Sequence, residues 1–508
     1  MKEENRQAGV LLPVSALPSP YGIGCFSDEA YRFIDMLASA GQSVWQILPL
    51  CPTSFGDSPY QSPCSFGGNP YFISLDALVS EGLLDASDLP ERDGAEYVDY
   101  KRLYEERYPI LRRAYARFAE RGTSDGYTAF CAENSLWLED YALFMAIKNS
   151  LGGAPLSDFP IELLQRDASA LYDARRSLSY ETGFWRFLQY EFFTQWSSVR
   201  AYANKNGVRI LGDIPIYVSA DSSDVWTRPE LFELDKEGKP LTVAGCPPDG
   251  FSPKGQLWGN PVYRWSEHKK EGFRWWTDRI AHAFSMYDTV RIDHFRGFDA
   301  YYSIPFGDED ATGGYWRNAP GEELFAAVRE RLGEKDIIAE DLGYMTEGVR
   351  RLLRACGFSG MKILQFGFDG GGDFSSEYLP HNYSADSVVY TGTHDNPTLA
   401  EWIDRLSSEE NEKLGRYLCA DTSDKKELAR HIISAAMQSP SRLCVIPMQD
   451  YLSVGKEGRM NTPASASGNW AWRMKKEDIS ASTAAYIREI SEPYGRIAKN
   501  RALIVGFT

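Results

Sequence analysis

The sequence contains no apolar run long enough to cross a membrane, although 43% of its 508 residues are hydrophobic. Its opening residues, MKEENRQA, are polar and lead straight into an apolar β-like run, so the apolar core of a signal peptide is missing as well. We therefore expect a cytoplasmic protein with no membrane partner and with a sizeable core of its own.

Basic residues are also fewer than acidic ones. The chain has 54 Lys and Arg residues against 71 Asp and Glu residues, which gives a net charge of −17 at pH 7. A protein of this charge repels nucleic acids, phosphate-rich ligands and anionic membrane surfaces. We expect no nucleic-acid partner, and a neutral substrate is the easier fit.

Metal ligands of the usual pattern are scarce. The six histidines and eight cysteines show no C-x-x-C motif and no zinc-type spacing, so we expect no metal and no organic cofactor. Oxygen ligands of a calcium ion can come from separate loops, so a calcium site stays open as an alternative. The even number of cysteines would permit disulfides, but a chain of this length needs no cross-links and we expect reduced thiols.

What the sequence does have is a series of apolar, β-branched runs. From the third run onward most of the intervals can hold an amphipathic helix, as at 323–331, 347–356 and 425–437. Strands that alternate with helices predict a parallel sheet, and eight such units predict an α/β fold of the closed (β/α)8 barrel type. The eight runs are 9–17, 44–50, 208–218, 288–295, 335–341, 361–368, 387–393 and 442–452.

Two intervals are too long for simple connections. We predict one catalytic domain, 1–508, with an inserted, mostly helical subdomain at 68–207 and an inserted loop subdomain at 219–273. The predicted fold is thus a barrel with largely helical insertions after strands 2 and 3 and no C-terminal β-sandwich. Apolar residues at helical spacing in the first insertion predict packing faces: Leu111, Tyr115 and Phe118; Leu136, Phe144 and Ile147; Phe184, Leu188 and Phe192.

Three acidic signatures stand at the ends of apolar runs. They are VRIDHFRG at 290–297, IIAEDLG at 337–343 and YTGTHDNP at 390–397. A buried carboxylate is costly unless it is paired or used, and a helix cap or a structural ion pair would explain any one of them alone. Active sites of (β/α)8 barrels lie at the carboxyl ends of the strands. Three such signatures together therefore indicate carboxylate chemistry on a glycosidic bond.

Retaining cleavage of a glycosidic bond needs a nucleophilic carboxylate and a carboxylic acid on opposite sides of the anomeric carbon. We assign Asp293 as the nucleophile and Glu340 as the acid/base, whose proton a dry environment would retain. Arg291 shares a strand face with Asp293 and should keep it ionised by lowering its pKa. Asp395 would bind sugar hydroxyls most strongly in the transition state, and His394 beside it can donate a hydrogen bond.

Further segments along the chain carry a resemblance to a known family. They are GVLLPVS at 9–15, GIG at 22–24, SPYQSP at 58–63, GGNPY at 67–71, GDIPIYV at 212–218, GCPPDGFS at 245–252, GQLWGNPVY at 255–263, NTP at 461–463 and GNWAWR at 468–473. With the three acidic signatures, they resemble the 4-α-glucanotransferases (amylomaltases) of glycoside hydrolase family 77, in the α-amylase clan. The resemblance extends from about residue 9 to the C-terminus.

The resemblance implies the same roles for Asp293, Glu340 and Asp395 as the chemistry does. It also implies a set of substrate-binding residues: Arg291, His394 and Asp213 at the cleavage site, Tyr60 as a stacking platform, Trp258, Asp249 and Gln256 on a lid at 245–263 over the acceptor side, and Asn469 with Trp470 as a further wall. Segment 464–467, ASAS, departs from the glycine-threonine type sequence expected there. Ser54 and Lys101 fall in regions where some relatives of the family place aromatics for a second, remote glucan site, so we predict no strong site of that kind.

The resulting expectation is a retaining 4-α-glucanotransferase. It would transfer segments between maltooligosaccharides, amylose-like α-1,4-glucans and glucose through a covalent intermediate on Asp293. A lid that excludes water and stacks an acceptor sugar would favour transfer. Two alternatives are an α-amylase-type hydrolase and a glucan-binding protein without catalysis.

Overall fold

A computed structural model describes residues 6–54, 56–248, 252–369, 374–463, 465 and 467–498 of the chain. Within these residues there are twelve β-strands. Their bounds are β1 Gln7–Leu11, β2 Val44–Gln46, β3 Arg209–Ile214, β4 Thr242–Cys246, β5 Gln256–Pro261, β6 Thr289–Ile292, β7 Ala300–Pro305, β8 Tyr315–Asn318, β9 Ile337–Ala339, β10 Ser359–Ile363, β11 Ser387–Tyr390 and β12 Leu443–Pro447.

Eight strands close a parallel barrel in the order β1-β2-β3-β6-β9-β10-β11-β12. Each of the eight apolar runs overlaps one of them, so the predicted (β/α)8 barrel is confirmed. Because strand side chains alternate, Leu211 and Ile338 lie in one buried cluster while Ile210 and Val290 lie in another. The first cluster fills the barrel interior, and the same strand faces continue upward into the polar residues described below.

Eighteen α-helices are found in the described residues. Their bounds are α1 Asp28–Ser39, α2 Leu75–Ser80, α3 Tyr100–Arg121, α4 Asp125–Glu133, α5 Leu138–Ser150, α6 Ile161–Leu164, α7 Ala168–Ser177, α8 Ser179–Lys205, α9 Ser223–Thr227, α10 Trp265–Lys270, α11 Arg274–Met286, α12 Gly321–Leu332, α13 Glu347–Cys356, α14 Leu399–Arg405, α15 Ser408–Leu418, α16 Lys425–Gln438, α17 Met448–Tyr451 and α18 Ala481–Ser491. The three helices predicted at 323–331, 347–356 and 425–437 are confirmed as α12, α13 and α16.

The interval between β2 and β3 is helical, from α2 to α8. Phe184, Leu188 and Phe192 on α8 are fully buried, which confirms the packing face predicted there. Leu136 was predicted to belong to such a face and does not, because it precedes α5 in a turn and is 74% exposed. The proposed boundary of a subdomain at 68–207 stays a prediction.

The insertion after β3 differs from the predicted, largely helical one. It holds the short helices α9 and α10 together with β4 and β5, which pair antiparallel. β4 also pairs antiparallel with β7, and β7 with β8, so a four-stranded sheet in the order β5-β4-β7-β8 forms. We call it the roof sheet. Half of its strands follow β6, far along the chain from β4, and for this reason the local sequence pattern gave no sign of it.

The rest of the described chain adds three observations. After β12, residues 448–463, 465 and 467–498 form helices and loops. No disulfide bond links any of the eight cysteines, all of which lie within the described ranges. Among the helices of those ranges, none is long and apolar enough to cross a membrane.

One buried carboxyl group in α8 predicts a measurable pH effect on stability. Glu191 is buried, and one of its oxygens has no hydrogen-bond partner in the described structure. Burial, reinforced by nearby Glu81, raises the pKa of Glu191 to about 8. Since the folded state binds this proton more tightly than the unfolded state, folding stability falls as pH rises from the ordinary glutamate pKa towards 8.

We therefore expect Glu191→Gln to raise the free energy of unfolding at the alkaline end of this range, on the order of 2 kcal/mol, and to change it little under acidic conditions. Thermal unfolding of both proteins at the two pH values measures the effect. Glu181→Gln on the same helix is the matched control, because Arg112 binds Glu181 at 2.7 Å and lowers its pKa. That control should lose stability, and equal stabilisation by both substitutions would contradict the prediction.

Candidate active site

The carboxyl ends of three neighbouring barrel strands deliver the first group of site residues. Asp213 lies in β3, Asp293 directly follows β6, and Glu340 directly follows β9. Each stands two positions after a residue that faces the barrel interior, so alternation directs all three carboxyl groups into the barrel mouth. The structure thus brings together three of the acidic residues that the sequence singled out.

Arg291 links two of these carboxylates. Its guanidinium is buried, and it donates from Nη1 to Asp213 at 2.6 Å and from Nη2 to Asp293 at 2.9 Å. The hydroxyl of Tyr60 donates to the same oxygen of Asp213 at 2.7 Å. A continuous chain of hydrogen bonds therefore runs from Tyr60 to Asp293, and the predicted contact between Arg291 and Asp293 is present.

Backbone groups hold the carboxylate of Glu340. One oxygen accepts the N–H of His294 at 2.8 Å, and the other accepts the N–H of Leu342 at 3.2 Å. His294 has a φ of 46°, in the left-handed region. Residues other than glycine are uncommon there, although histidine is found more often than most. This turn of the chain directly after Asp293 places an amide against Glu340 and ties the two strand ends together.

Burial has the largest effect on the pKa values of Asp293 and Glu340. It raises the pKa of Asp293 to about 8, and the neighbouring carboxylates of Asp213 and Glu340 act in the same direction. Burial also raises the pKa of Glu340. Arg291 lowers the pKa of both groups, as expected for Asp293, but burial outweighs this effect. The expectation that Asp293 stays ionised is therefore wrong for the site without substrate. Two such close carboxyl groups titrate together and retain one proton near neutral pH.

Asp395 and His394 follow β11 on the other side of the mouth. The side-chain amide of Asn461 donates to Asp395 at 2.6 Å, and Nε2 of His394 lies 3.3 Å from the other carboxylate oxygen. The imidazole stacks on the ring of Tyr60, with ring centroids 5.3 Å apart. Burial lowers the pKa of His394, so the ring is neutral at pH 7. His394 thereby connects Asp395 to the series of hydrogen-bonded side chains that begins at Tyr60.

The predicted lid lies on the roof sheet, as the hairpin of β4 and β5. The indole of Trp258 meets the ring of His294 edge to face at 4.9 Å and donates from Nε1 to Gln256 at 3.0 Å. Trp258 therefore packs directly on the residue whose backbone holds Glu340. Asp249, the third residue predicted on this lid, lies outside the described residues.

Comparison with known proteins gives a consistent result. The model of glycoside hydrolase family 77, described as 4-α-glucanotransferase, matches residues 12–479. The chain belongs to the 4-α-glucanotransferase family. It is therefore a glycosyltransferase of this type, in agreement with the resemblance noted in the sequence.

Individual relatives are similar along nearly their whole lengths. The 4-α-glucanotransferase of Clostridium butyricum is 44% identical over 95% of this chain and 99% of its own, and that of Thermus thermophilus is 44% identical over 97% and 99%. The structure of the amylomaltase from Streptococcus agalactiae in complex with acarbose matches with a TM-score of 0.93 at 42% identity, covering 97% of this chain and 99% of that one.

Sequence reasoning missed a contact between the lid and the loop at 58–63. Nε2 of Gln61 donates to Asn260 at 3.0 Å and to the carbonyl oxygen of Trp258 at 3.3 Å. Nδ2 of Asn260 in turn donates to the carbonyl oxygen of Val218 at 2.8 Å. The loop that carries Tyr60 is thus fastened to the lid strand β5.

The segment at 461–470 contributes differently from expectation. Asn469 uses its side-chain amide within its own loop, with bonds of 2.9 Å to Thr462 and Ser465. Trp470 is the residue that reaches the site, with its ring centroid 5.8 Å from those of Tyr60 and His394. The predicted sugar contact of Asn469 stays a prediction.

Asn461 is a further site residue without an assigned role in the sequence. It lies in the NTP segment that supports the family resemblance, which was the only signal for it.

The part of the chain that the structure describes holds no group of three or more His, Cys, Asp or Glu residues able to bind a metal ion.

Proposed function

We propose that this 4-α-glucanotransferase works with retention, through a covalent glycosyl intermediate on Asp293. The observation that carries the proposal is the shared barrel mouth in which Arg291 binds Asp293 while backbone amides hold Glu340. The two carboxyl groups have different surroundings, as nucleophile and acid must have. The direct contact of Arg291 favours charge on Asp293, so the retained proton belongs on Glu340 when substrate is bound.

In the first step, Glu340 donates its proton to the glycosidic oxygen while Asp293 attacks the anomeric carbon. The bond from this carbon to the leaving oxygen breaks, and a bond to the carboxylate oxygen of Asp293 forms. The reducing-end part of the glucan leaves with a free 4-hydroxyl. Glu340 is now a carboxylate.

In the second step, Glu340 takes the proton from the 4-hydroxyl of an acceptor, whose oxygen attacks the same carbon. The bond to Asp293 breaks and the carboxylate returns. Two inversions give net retention. Asp395, positioned by Asn461 and His394, would bind sugar hydroxyls in both transition states.

The proposed substrates are maltooligosaccharides and amylose-like α-1,4-glucans, with glucose or another glucan as acceptor. The amylomaltase from Streptococcus agalactiae, solved in complex with acarbose, supports this choice of donor. The neutral ligand also suits a protein with a charge of −17. Tyr60 and Trp470 supply ring surfaces for the sugar near the cleavage point.

The test of this function is incubation with maltotriose alone, with free glucose, product lengths and total reducing ends followed together. Glucose and maltopentaose appearing without any growth in reducing ends would establish transfer. Growth of reducing ends with only shorter products would show that water is the acceptor, and the proposed transfer would be wrong.

The lid gives a second expected result. Removing the indole in Trp258→Ala should expose the intermediate to water and raise the ratio of hydrolysis to transfer about tenfold. Trp258→Phe keeps an aromatic surface against His294 and is the matched control. Reducing-end and glucose assays on maltotriose give the ratio directly. An unchanged ratio in the alanine variant would show that the indole does not keep water out.

The shared proton predicts the pH profile. The active form carries one proton on the pair of Asp293 and Glu340, so kcat/KM should be bell-shaped. On the acid side a second proton disables the nucleophile, and on the alkaline side loss of the shared proton disables the acid. Because burial raises the pKa of both carboxyl groups, the alkaline limb should lie well above the ordinary pKa of a glutamate. An alkaline limb near the ordinary pKa of a glutamate would contradict the shared proton.

A further inference from the structure

A group of exposed aromatic side chains beside the lid has no place in the mechanism above. Tyr344 is 73% exposed and Trp316 is 38% exposed, while Tyr315, the neighbour of Trp316, is 50% exposed on the other face of the strand. Large rings in contact with water are costly on a surface, and a cluster of them next to a cleft marks a binding surface. Their ring faces suit the C–H faces of sugars.

Arg296 organises two of these rings. Its side chain is almost wholly buried, and its guanidinium carbon lies 3.7 Å from the ring centroid of Trp316 and 6.0 Å from that of Tyr344. Its Nε is buried without a hydrogen-bond partner among the described residues. The cation therefore holds two rings beside it through cation–π attraction.

The roof sheet fixes the position of Trp316 from the other side. Tyr302 of β7 meets the indole edge to face at 5.2 Å, and its hydroxyl donates to the carbonyl oxygens of Ala311 and Gly314 at 3.0 and 2.9 Å. Trp316 is thus held between two elements before any ligand arrives. A preorganised ring loses little conformational entropy on binding.

The cluster lies next to the catalytic residues. Arg296 belongs to the short helical turn 295–298 that follows Asp293, and Tyr344 belongs to the loop that begins at Glu340. Cys246 of the lid strand β4 lies close enough to influence the pKa of Arg296. The cluster therefore adjoins both the acid/base and the lid.

We propose that Trp316, Arg296 and Tyr344 form an outer subsite for the acceptor-side part of an α-1,4-glucan. The inference rests on the proposed function, because Glu340 protonates the leaving oxygen and the leaving or accepting chain must lie on its side. Tyr344, on the loop of Glu340, stands where that chain continues away from the cleavage point. A single glucose at the cleavage point is too short to reach the subsite, whereas a longer acceptor contacts it.

The experiment separates the two kinds of acceptor. The donor is 4″-deoxy-α-maltotriosyl fluoride, which needs no acceptor-side sugar to be bound and cannot itself accept. The acceptors are glucose and maltotetraose. We expect Tyr344→Ala and Trp316→Ala to raise the KM for maltotetraose about tenfold and to leave the KM for glucose unchanged.

Tyr315→Ala is the matched control, because Tyr315 is an exposed aromatic on the same strand whose side chain points to the opposite face of the sheet from Trp316. It should leave both KM values unchanged. Tyr344 lies in a loop and is mostly exposed, so its alanine variant tests the subsite even if the Trp316 variant folds poorly. Equal KM changes for both acceptors, or none in Tyr344→Ala, would overturn the subsite. Wild-type protein that transfers to neither acceptor would instead overturn the proposed function, and the subsite with it.

Discussion

Asp293→Asn should lower kcat/KM for transfer from maltotriose by at least about 10⁴-fold. The amide cannot form the ester bond to the anomeric carbon. Asp213, the other carboxylate bound to Arg291, lies deeper in the barrel and is almost fully buried, so it cannot take the place of Asp293. An activated donor should not help. Release of fluoride from α-maltotriosyl fluoride should fall by a similar factor, because the nucleophile is needed for that step as well.

The substitution preserves the size of the side chain, and Arg291 keeps its bond to Asp213. Binding of maltoheptaose, measured by calorimetry, and the midpoint of thermal unfolding should therefore stay close to those of the wild type. A variant that binds normally and still retains about a tenth of the activity would rule out Asp293 as the nucleophile.

Glu340→Gln should lower kcat/KM for maltotriose by about 10³-fold, and an activated donor should restore the first step. Fluoride leaves without protonation, so its release from α-maltotriosyl fluoride no longer depends on the acid. The second step still lacks its base, so the glycosyl group should accumulate on Asp293. Intact-protein mass spectrometry would show it as an added maltotriosyl mass.

Azide provides the decisive comparison for this variant, because it attacks without giving up a proton. It should release the accumulated sugar as a glycosyl azide of retained configuration. The turnover of α-maltotriosyl fluoride should then rise with the concentration of azide. Equal losses of activity with maltotriose and with the fluoride would contradict the assignment of Glu340 as acid/base.

The barrel and the three carboxylates could be predicted from sequence for the same physical reason. Parallel barrel strands are short apolar runs, and a carboxylate directly after such a run lies at the barrel mouth whatever its surroundings. Glu340 after β9 is the plainest example, since three buried residues precede it. The contact of Arg291 with Asp293 followed in the same way from alternation along one strand.

The remaining parts depend on residues distant in sequence. β4 gains its partner β7 only after the chain has passed through the barrel strand β6, so no local window contains both. Asn461 reaches Asp395, and Gln61 reaches Asn260, across similar separations. The raised pKa of Asp293 was missed because the pattern shows its neighbour Arg291 but not the depth of burial.

The roof sheet has a consequence for engineering. Its four strands come from two separate segments of the chain. β4 and β5 precede the barrel strand β6, and β7 and β8 follow it. The hairpin of β4 and β5, proposed as the lid, therefore cannot be moved to another protein by itself. Grafting β4 and β5 onto a hydrolase would leave the β4 edge without its partner β7, and an unpaired edge invites aggregation. Donating transferase behaviour to another barrel would require both segments to be moved together.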